Sequence, residues 1–310
     1  VNNICVIGSI NMDVVLKVNR MPKVGETIFA NDLKNIPGGK GSNQAIACSR
    51  MNANVSMIGK VGMDGNGDIL VSKLKENNIN TEYIFKDYKV STGTAIITVD
   101  NEANNSIIVA SGSNMTIAEE EINEASNIIK NSDIVIAQFE VPMKTILKGF
   151  EIAKGNNKIT ILNPAPAKKI DRELLKYTDI IIPNETEAFE LTGLEVTDLD
   201  SAKKAANILM KEGIKCVIIT LGCKGAAVIT KEHSDIVPAY KVNAIDTTAA
   251  GDSFIGGFAS KIDINNMSFE NLKKSIKFGN MVSSIAVQRE GAEPSIPYLE
   301  DVKKIYGEEL

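Results

Sequence analysis

Six short runs of apolar, mostly β-branched residues punctuate the chain, at 55–59, 134–138, 159–162, 180–182, 216–220 and 226–229. Most are continuous rather than alternating, as parallel strands covered on both faces must be. Helical patterns fall between them, at 41–51, 67–76, 118–130, 143–154, 185–191 and 201–212, with a longer one at 273–287. Thr116-Ile117-Ala118-Glu119 reads as the capping box of one of these helices. Alternation of this kind implies the α/β class, with a doubly wound, mostly parallel sheet between two layers of helices. An opening strand, Ile4-Cys5-Val6-Ile7-Gly8, belongs to the same sheet, and no repeat or low-complexity linker divides residues 1–310.

Four other β-like segments have no helix promptly after them. Val14, Leu16 and Val18 follow the first strand; a Pro22/Gly25 turn then leads to a segment through Ile28 and Phe29. A later pair, 94–99 and 106–110, is joined by the polar stretch Asp100-Asn101-Glu102-Ala103-Asn104-Asn105 and reads as a hairpin. These segments are expected to form a small antiparallel sheet, a discontinuous lid drawn from about 12–36 and 91–111.

Charge and composition narrow the chemistry. A net charge of −5 argues against a nucleic-acid partner, which needs a basic face. Four cysteines without C-x-x-C spacing (Cys5, Cys48, Cys216, Cys223) read as free thiols in a reducing compartment rather than zinc ligands. The single histidine, His233, lies in a polar turn, which disfavours a Ser-His-Asp triad. No apolar run approaches the roughly 20 residues of a membrane span, so a cytoplasmic protein is expected.

Two stretches carry chemistry. In the first, Asp246-Thr247-Thr248-Ala249-Ala250-Gly251-Asp252, small residues precede an apolar helical pattern. The N–H groups of such a helix start lack intrahelical partners and suit a phosphate, with the Asp252 carboxylate beside it. A plain capped helix with a first-turn acid is the alternative. In the second, Pro37-Gly38-Gly39-Lys40-Gly41-Ser42-Asn43-Gln44-Ala45, glycines would let the backbone approach a ligand closely. Neither a G-x-x-x-x-G-K-[ST] loop nor a G-x-G-x-x-G turn after the first strand is present, so phosphate contacts must come from elsewhere. Polar clusters also follow the strands: Asn11 and Asp13, Glu140, Asn163-Pro164, Asn184 to Glu187, and Leu221 to Gly225. Strand ends are where ligands bind in such sheets.

Together the two stretches resemble the paired signatures of the ribokinase (PfkB-type) family of sugar kinases, and the resemblance runs from Ile4 to about Tyr298. It implies ATP-dependent, Mg²⁺-assisted phosphorylation of ribose at its 5-hydroxyl. Asp252 would be the general base, with Ala249, Ala250, Gly251 and Asp252 forming the anion hole. An Asp with an ordinary pKa of about 3.9 is a weak base for an alcohol, so positioning should dominate. The positions matching sugar contacts are Asn11, Met12, Asp13, Gly39, Lys40, Gly41, Ser42, Asn43, Glu140 and Asp252. Those matching the nucleotide end are Asn184, Glu187, Thr220, Leu221, Gly222, Cys223, Lys224, Gly225, Gly251, Asp252 and Asn280. A potassium site is implied at Asp246, Thr248, Ala286, Arg289, Gly291 and Ser295, and a homodimer through the lid. Another furanose or a nucleoside as substrate, and a sugar- or nucleotide-binding regulator without catalysis, remain alternatives. The retained Asp252 speaks against the regulator.

Overall fold

The computed structural model describes residues 1–102 and 104–309; Ala103, within the expected hairpin connection, lies outside them. The chain opens with β1 (Asn3–Ile7), crosses into the lid as β2 (Asn11–Lys17) and β3 (Asp32–Gly38), and returns through α1 (Lys40–Arg50). Then come β4 (Asn54–Gly62), α2 (Gly65–Glu76), β5 (Asn80–Asp87) and the lid strands β6 (Gly93–Val99) and β7 (Asn105–Ala110). The middle of the chain runs α3 (Glu119–Glu124), α4 (Ser126–Asn131), β8 (Ile134–Gln138), α5 (Met143–Gly155), β9 (Ile159–Asn163) and α6 (Arg172–Lys176). It continues through β10 (Ile180–Ile181), α7 (Glu185–Thr192), α8 (Leu199–Met210), β11 (Cys216–Thr220), β12 (Ala226–Thr230) and β13 (Ser234–Val237). The helices α9 (Ala250–Lys261), α10 (Phe269–Ala286) and α11 (Leu299–Tyr306) close it.

Among the described residues nine strands form one sheet in the order β13-β12-β11-β10-β9-β8-β1-β4-β5. Pairing is parallel from β5 to β11, and antiparallel only for β12 and β13. Residue alternation builds the layers. Ile4 and Val6 of β1, Ile134 and Ile136 of β8, and Ile218 of β11 pack with Ile46 of α1 and Phe254 and Phe258 of α9. Their neighbours Cys5, Ile7, Val135, Ala137 and Ile219 pack on the other face with Ile146 and Phe150 of α5 and Leu209 of α8. Burial on both faces is why these strands read as continuous apolar runs. Strand order reverses at β1/β8, and the crevice beyond the carboxyl ends of those strands is the place for a ligand.

The lid is a four-stranded sheet in the order β3-β2-β6-β7. Its two outer pairings are antiparallel, as expected, and β2 joins β6 in parallel. One lid strand lies later than the pattern suggested. Ile28 and Phe29 are outside any strand, with Phe29 92% exposed, and the partner of β2 is instead the polar segment Asp32–Gly38. An exposed edge strand has little apolar alternation to read. The edge strands β5 and β13 gave no readable run for the same reason. The helix expected at 118–130 is two, broken at Ala125, and it starts at Glu119 with Glu121 accepting from the Ala118 N–H. Thr116 does not cap it; its hydroxyl donates to Asp87.

Candidate active site

The start of α1, the loops after β8, β9 and β10, the end of β11, the start of α9 and the inner face of the lid line a cavity of about 380 Å³. Its position depends on how α1 meets β1. Gly39, the residue before α1, has φ 91°, and a side chain there would strike the Asn11 N–H and the Ser9 carbonyl. Gly41 lies directly against the Gly8 backbone, so no side chain separates helix from strand. The same helix packs along α9, and this brings Asn43 and Gln44 to Asp252.

Asp252 is 7% exposed and lines the cavity. One carboxylate oxygen accepts from Asn43 Nδ2 at 3.0 Å and the other from Gln44 Nε2 at 2.9 Å. Burial raises its pKa above the ordinary carboxylate value, against the lowering influence of Lys40 and of the two amides, while Glu140 adds to the rise. The ordinary value expected for this group is therefore corrected: desolvation makes Asp252 a stronger base than an exposed aspartate. Just before it, Ala249 adopts a left-handed conformation (φ 59°) that opens α9. The Ala250 N–H is spent on the Thr247 carbonyl and the Ser253 N–H on Ala249, whereas those of Gly251 and Asp252 have no such partner. The free donors at this helix start thus include Gly251 and Asp252, not all four expected residues.

Across the cavity, Asn11, Asp13, Gly39, Lys40, Asn43 and Glu140 come together. Asn114, buried at 1%, donates to Asn11 Oδ1 at 2.7 Å and accepts from the Ile10 N–H at 2.9 Å, which leaves the Asn11 amide hydrogens for a ligand. Burial, with the Glu140 and Asp252 charges, raises Asp13 to about 7 despite Lys40. Glu140 accepts from the Ser9 hydroxyl and, at 3.0 Å, from the Lys40 N–H. Burial alone would lower Lys40, yet Asp252, Glu140, Glu187 and Asp13 outweigh it and raise its pKa, so the ammonium stays charged. Asn43 Oδ1 is buried with no partner among the described residues, an acceptor waiting for a donor. Met12, Gly41 and Ser42 do not line the cavity. Met12 is core, Gly41 packs on Gly8, and the Ser42 N–H donates to Ser9.

At the other end, Asn184 caps α7 and the Glu187 carboxylate reaches back to the Asn184 N–H at 2.9 Å. Glu187 is raised by burial, partly offset by that bond and Lys40. Asn184, Glu187 and Thr220 line the cavity, and a backbone bridge ties Asn184 to Thr220. The stretch beyond does not reach the cavity lining. Leu221 is buried, its N–H donating to Gly225, while Gly222, Cys223 and Lys224 make a single turn with Cys223 exposed. Asn280 also lies outside the lining: its amide donates to the carbonyls of Val237 and Pro238, fastening α10 to the end of β13.

Asp246 joins two loops. Its oxygens accept from the Thr248 N–H at 2.8 Å and the Gly291 N–H at 2.9 Å, and its own N–H donates to Val287. Burial would raise this carboxyl, but those bonds hold it below the usual range. Thr248 faces the cavity. Of the other expected cation ligands, the Ala286 carbonyl accepts from the Arg289 N–H, Arg289 pairs with Asp301 at 3.2 Å, and the Ser295 hydroxyl donates to Ala292. Among the described residues no three His, Cys, Asp or Glu side chains gather to hold a metal. Motif reading missed Ser9, Gln44 and Asn114 as site residues and placed Asn163 only in a strand-end cluster. Gln44 stood inside a quoted motif, and Asn163 at a strand end; Ser9 and Asn114 carried no signal short of the fold.

The chain matches the model of the pfkB family carbohydrate kinases over residues 1–299. It is 48% identical to a ribokinase from Staphylococcus aureus (strain COL), covering 98% of this chain and 99% of that protein. A deoxyribokinase from Salmonella typhi is 37% identical, with 96% of each chain covered. Among solved structures, Arabidopsis thaliana ribokinase complexed with ribose and ATP superposes with a TM-score of 0.92 at 30% identity, covering 98% of each chain.

Proposed function

Because the chain belongs to the pfkB family of carbohydrate kinases, we propose that it transfers the γ-phosphoryl group of ATP to the 5-hydroxyl of D-ribose. The observation that carries this reading is a single cavity in which Asp252, at a helix start with free N–H groups, faces Asn11, Asp13, Asn43 and Glu140. Two carboxylates and two amides offer the acceptors and donors that fix several hydroxyls of a small sugar. Asp252 accepts the 5-hydroxyl proton as that oxygen attacks the γ-phosphorus. The N–H groups of Gly251 and Asp252 meet the charge on the transferred phosphoryl, and the Lys40 ammonium adds to it. Lid strands β2, β6 and β7 exclude water and form one catalytic unit with the body, residues 1–310.

Mg²⁺ fits the nucleotide end, because it is commonly held by substrate phosphates with only one or two protein carboxylates. Glu187 is the carboxylate there, and the ion would neutralise phosphate charge. Leu221, Gly222, Cys223, Lys224, Gly225 and Asn280 are proposed around the nucleotide base, which extends beyond the cavity. A potassium ion fits the oxygen-only donor set of Asp246, Thr248, Ala286, Arg289, Gly291 and Ser295, mostly backbone carbonyls. Free, mostly buried cysteines fit a reducing, cytoplasmic setting. No helix among the described residues is long and apolar enough to cross a membrane.

The test is ADP formation measured across ribose, 2-deoxyribose, fructose and nucleosides. Ribose should give the highest kcat/KM. The deoxyribokinase relative makes 2-deoxyribose the sharpest rival, and a higher kcat/KM for it would transfer the assignment to that sugar.

A further inference from the structure

We infer that Gln44 is a positioning residue for phosphoryl transfer: its side-chain amide, locked from behind by Gln138, fixes the orientation of the Asp252 carboxylate. The inference rests on Asp252 as the base. Gln44 and Gln138 are both fully buried. Both hydrogens of Gln44 Nε2 have a target, Asp252 Oδ1 at 2.9 Å and Asn163 Oδ1 at 3.0 Å. Gln44 Oε1 accepts from Gln138 Nε2 at 2.7 Å. Asn163 is oriented in turn by donating from Nδ2 to the Ile182 carbonyl at 3.1 Å. Turning the Gln44 amide over would set its carbonyl against two oxygens and its NH₂ against another NH₂, so only one orientation satisfies the set.

A relay of three amides therefore runs from β8 through α1 to β9 and ends on Asp252. Gln44 and Gln138 themselves are not among the residues that line the cavity, which separates their role from substrate binding. The charged groups that face Asp252 are Lys40 at the start of α1, Glu140 after β8, Asp13 on β2 and Glu187 on α7. Burial favours the protonated, useless form of Asp252; Gln44, with Lys40 and Asn43, favours the carboxylate.

The test is the pH profile of kcat at saturating ribose and ATP for Gln44→Met and Gln138→Leu. For Gln44→Met the acid limb should move up by about one pH unit, the effect of losing one hydrogen bond to the charged form. Its kcat should fall more on the acid limb than on the alkaline plateau, by up to about tenfold, with the ribose Kd from calorimetry held within about threefold. Gln138→Leu leaves Gln44 Oε1 as the one newly unpaired buried acceptor, because Gln138's own oxygen has no partner among the described residues, so the change is confined to the lock itself. It should shift the limb the same way by less. An equal loss of kcat at every pH, or an unmoved limb, in Gln44→Met would overturn the inference. If that variant does not fold, an unmoved limb in Gln138→Leu overturns it. An Asp252→Asn enzyme that retains wild-type kcat would instead remove the base reading, whatever the Gln44 variants do.

Discussion

Asp13 sits on a lid strand but feels the charges of the body. Its raised pKa, about 7, arises from burial first and then from Glu140 and Asp252. In the unfolded chain the same group titrates near 3.8, so folding loses stability as pH climbs from there to about 7, and no further above it. Ribose binding should run the other way, since the ionised carboxylate is the better hydroxyl acceptor. We expect kcat/KM for ribose to carry a rise with pH through about 7 as Asp13 ionises, beside the Asp252 limb that kcat also shows. Asp13→Asn should lose the Asp13 rise, and Asp13→Ala should cost about 2–4 kcal/mol in kcat/KM. A pH profile of kcat/KM identical in wild type and Asp13→Asn would take Asp13 out of the sugar site. At this scale much was legible, because Asn11, Asp13, Lys40, Asn43, Glu140 and Asp252 stood in short motifs. What was not legible is what holds them. Asn114 acts on Asn11 from 103 positions away, and Ser9 on Glu140 from 131, spacings that no local pattern encodes.

The start of α9 is the element on which the chemistry turns, and the loop before it is shaped by a neighbour. Asp246 binds the Gly291 N–H, and Arg50 at the end of α1 clamps the following turn through the Glu293 carboxylate and the Glu293 and Ile296 carbonyls. A potassium ion between these loops would order the Thr248–Gly251 segment whose N–H groups face phosphate. Activity should rise severalfold when potassium replaces an organic cation at constant ionic strength, and Asp246→Ala should lose the response. Equal wild-type rates in the two salts would remove the ion from the mechanism. Buried strands and long helices were readable as elements because burial on two faces, or on one helical stripe, leaves a strong apolar period. The edge strands β3, β5 and β13 were not, and no Gly or Pro announces the break at Ala125.

For the molecule as a whole, the lid face turned away from the cavity carries exposed apolar side chains: Leu33 and Ile108 are each more than half exposed, whereas Ile107 and Val109 line the cavity. Exposed apolar side chains on one face suit an interaction surface. A second copy of this chain, meeting lid to lid, would cover it. Sedimentation should give the mass of two chains, and Ile108→Lys should give one; a monomeric wild type would contradict the dimer. The three-layer body was legible because strand–helix alternation admits few topologies, whereas the parallel joining of β2 and β6 depends on a crossover through the body that no segment announces. The most direct test of the chemistry is single-turnover transfer of the γ-phosphoryl from ATP to ribose by Asp252→Asn, a substitution that keeps shape and removes the base. The transfer rate should fall by roughly two to four orders of magnitude, with ribose affinity little changed. A variant that retains more than about a tenth of the wild-type rate, well outside the range for a lost general base, would contradict Asp252 as the base.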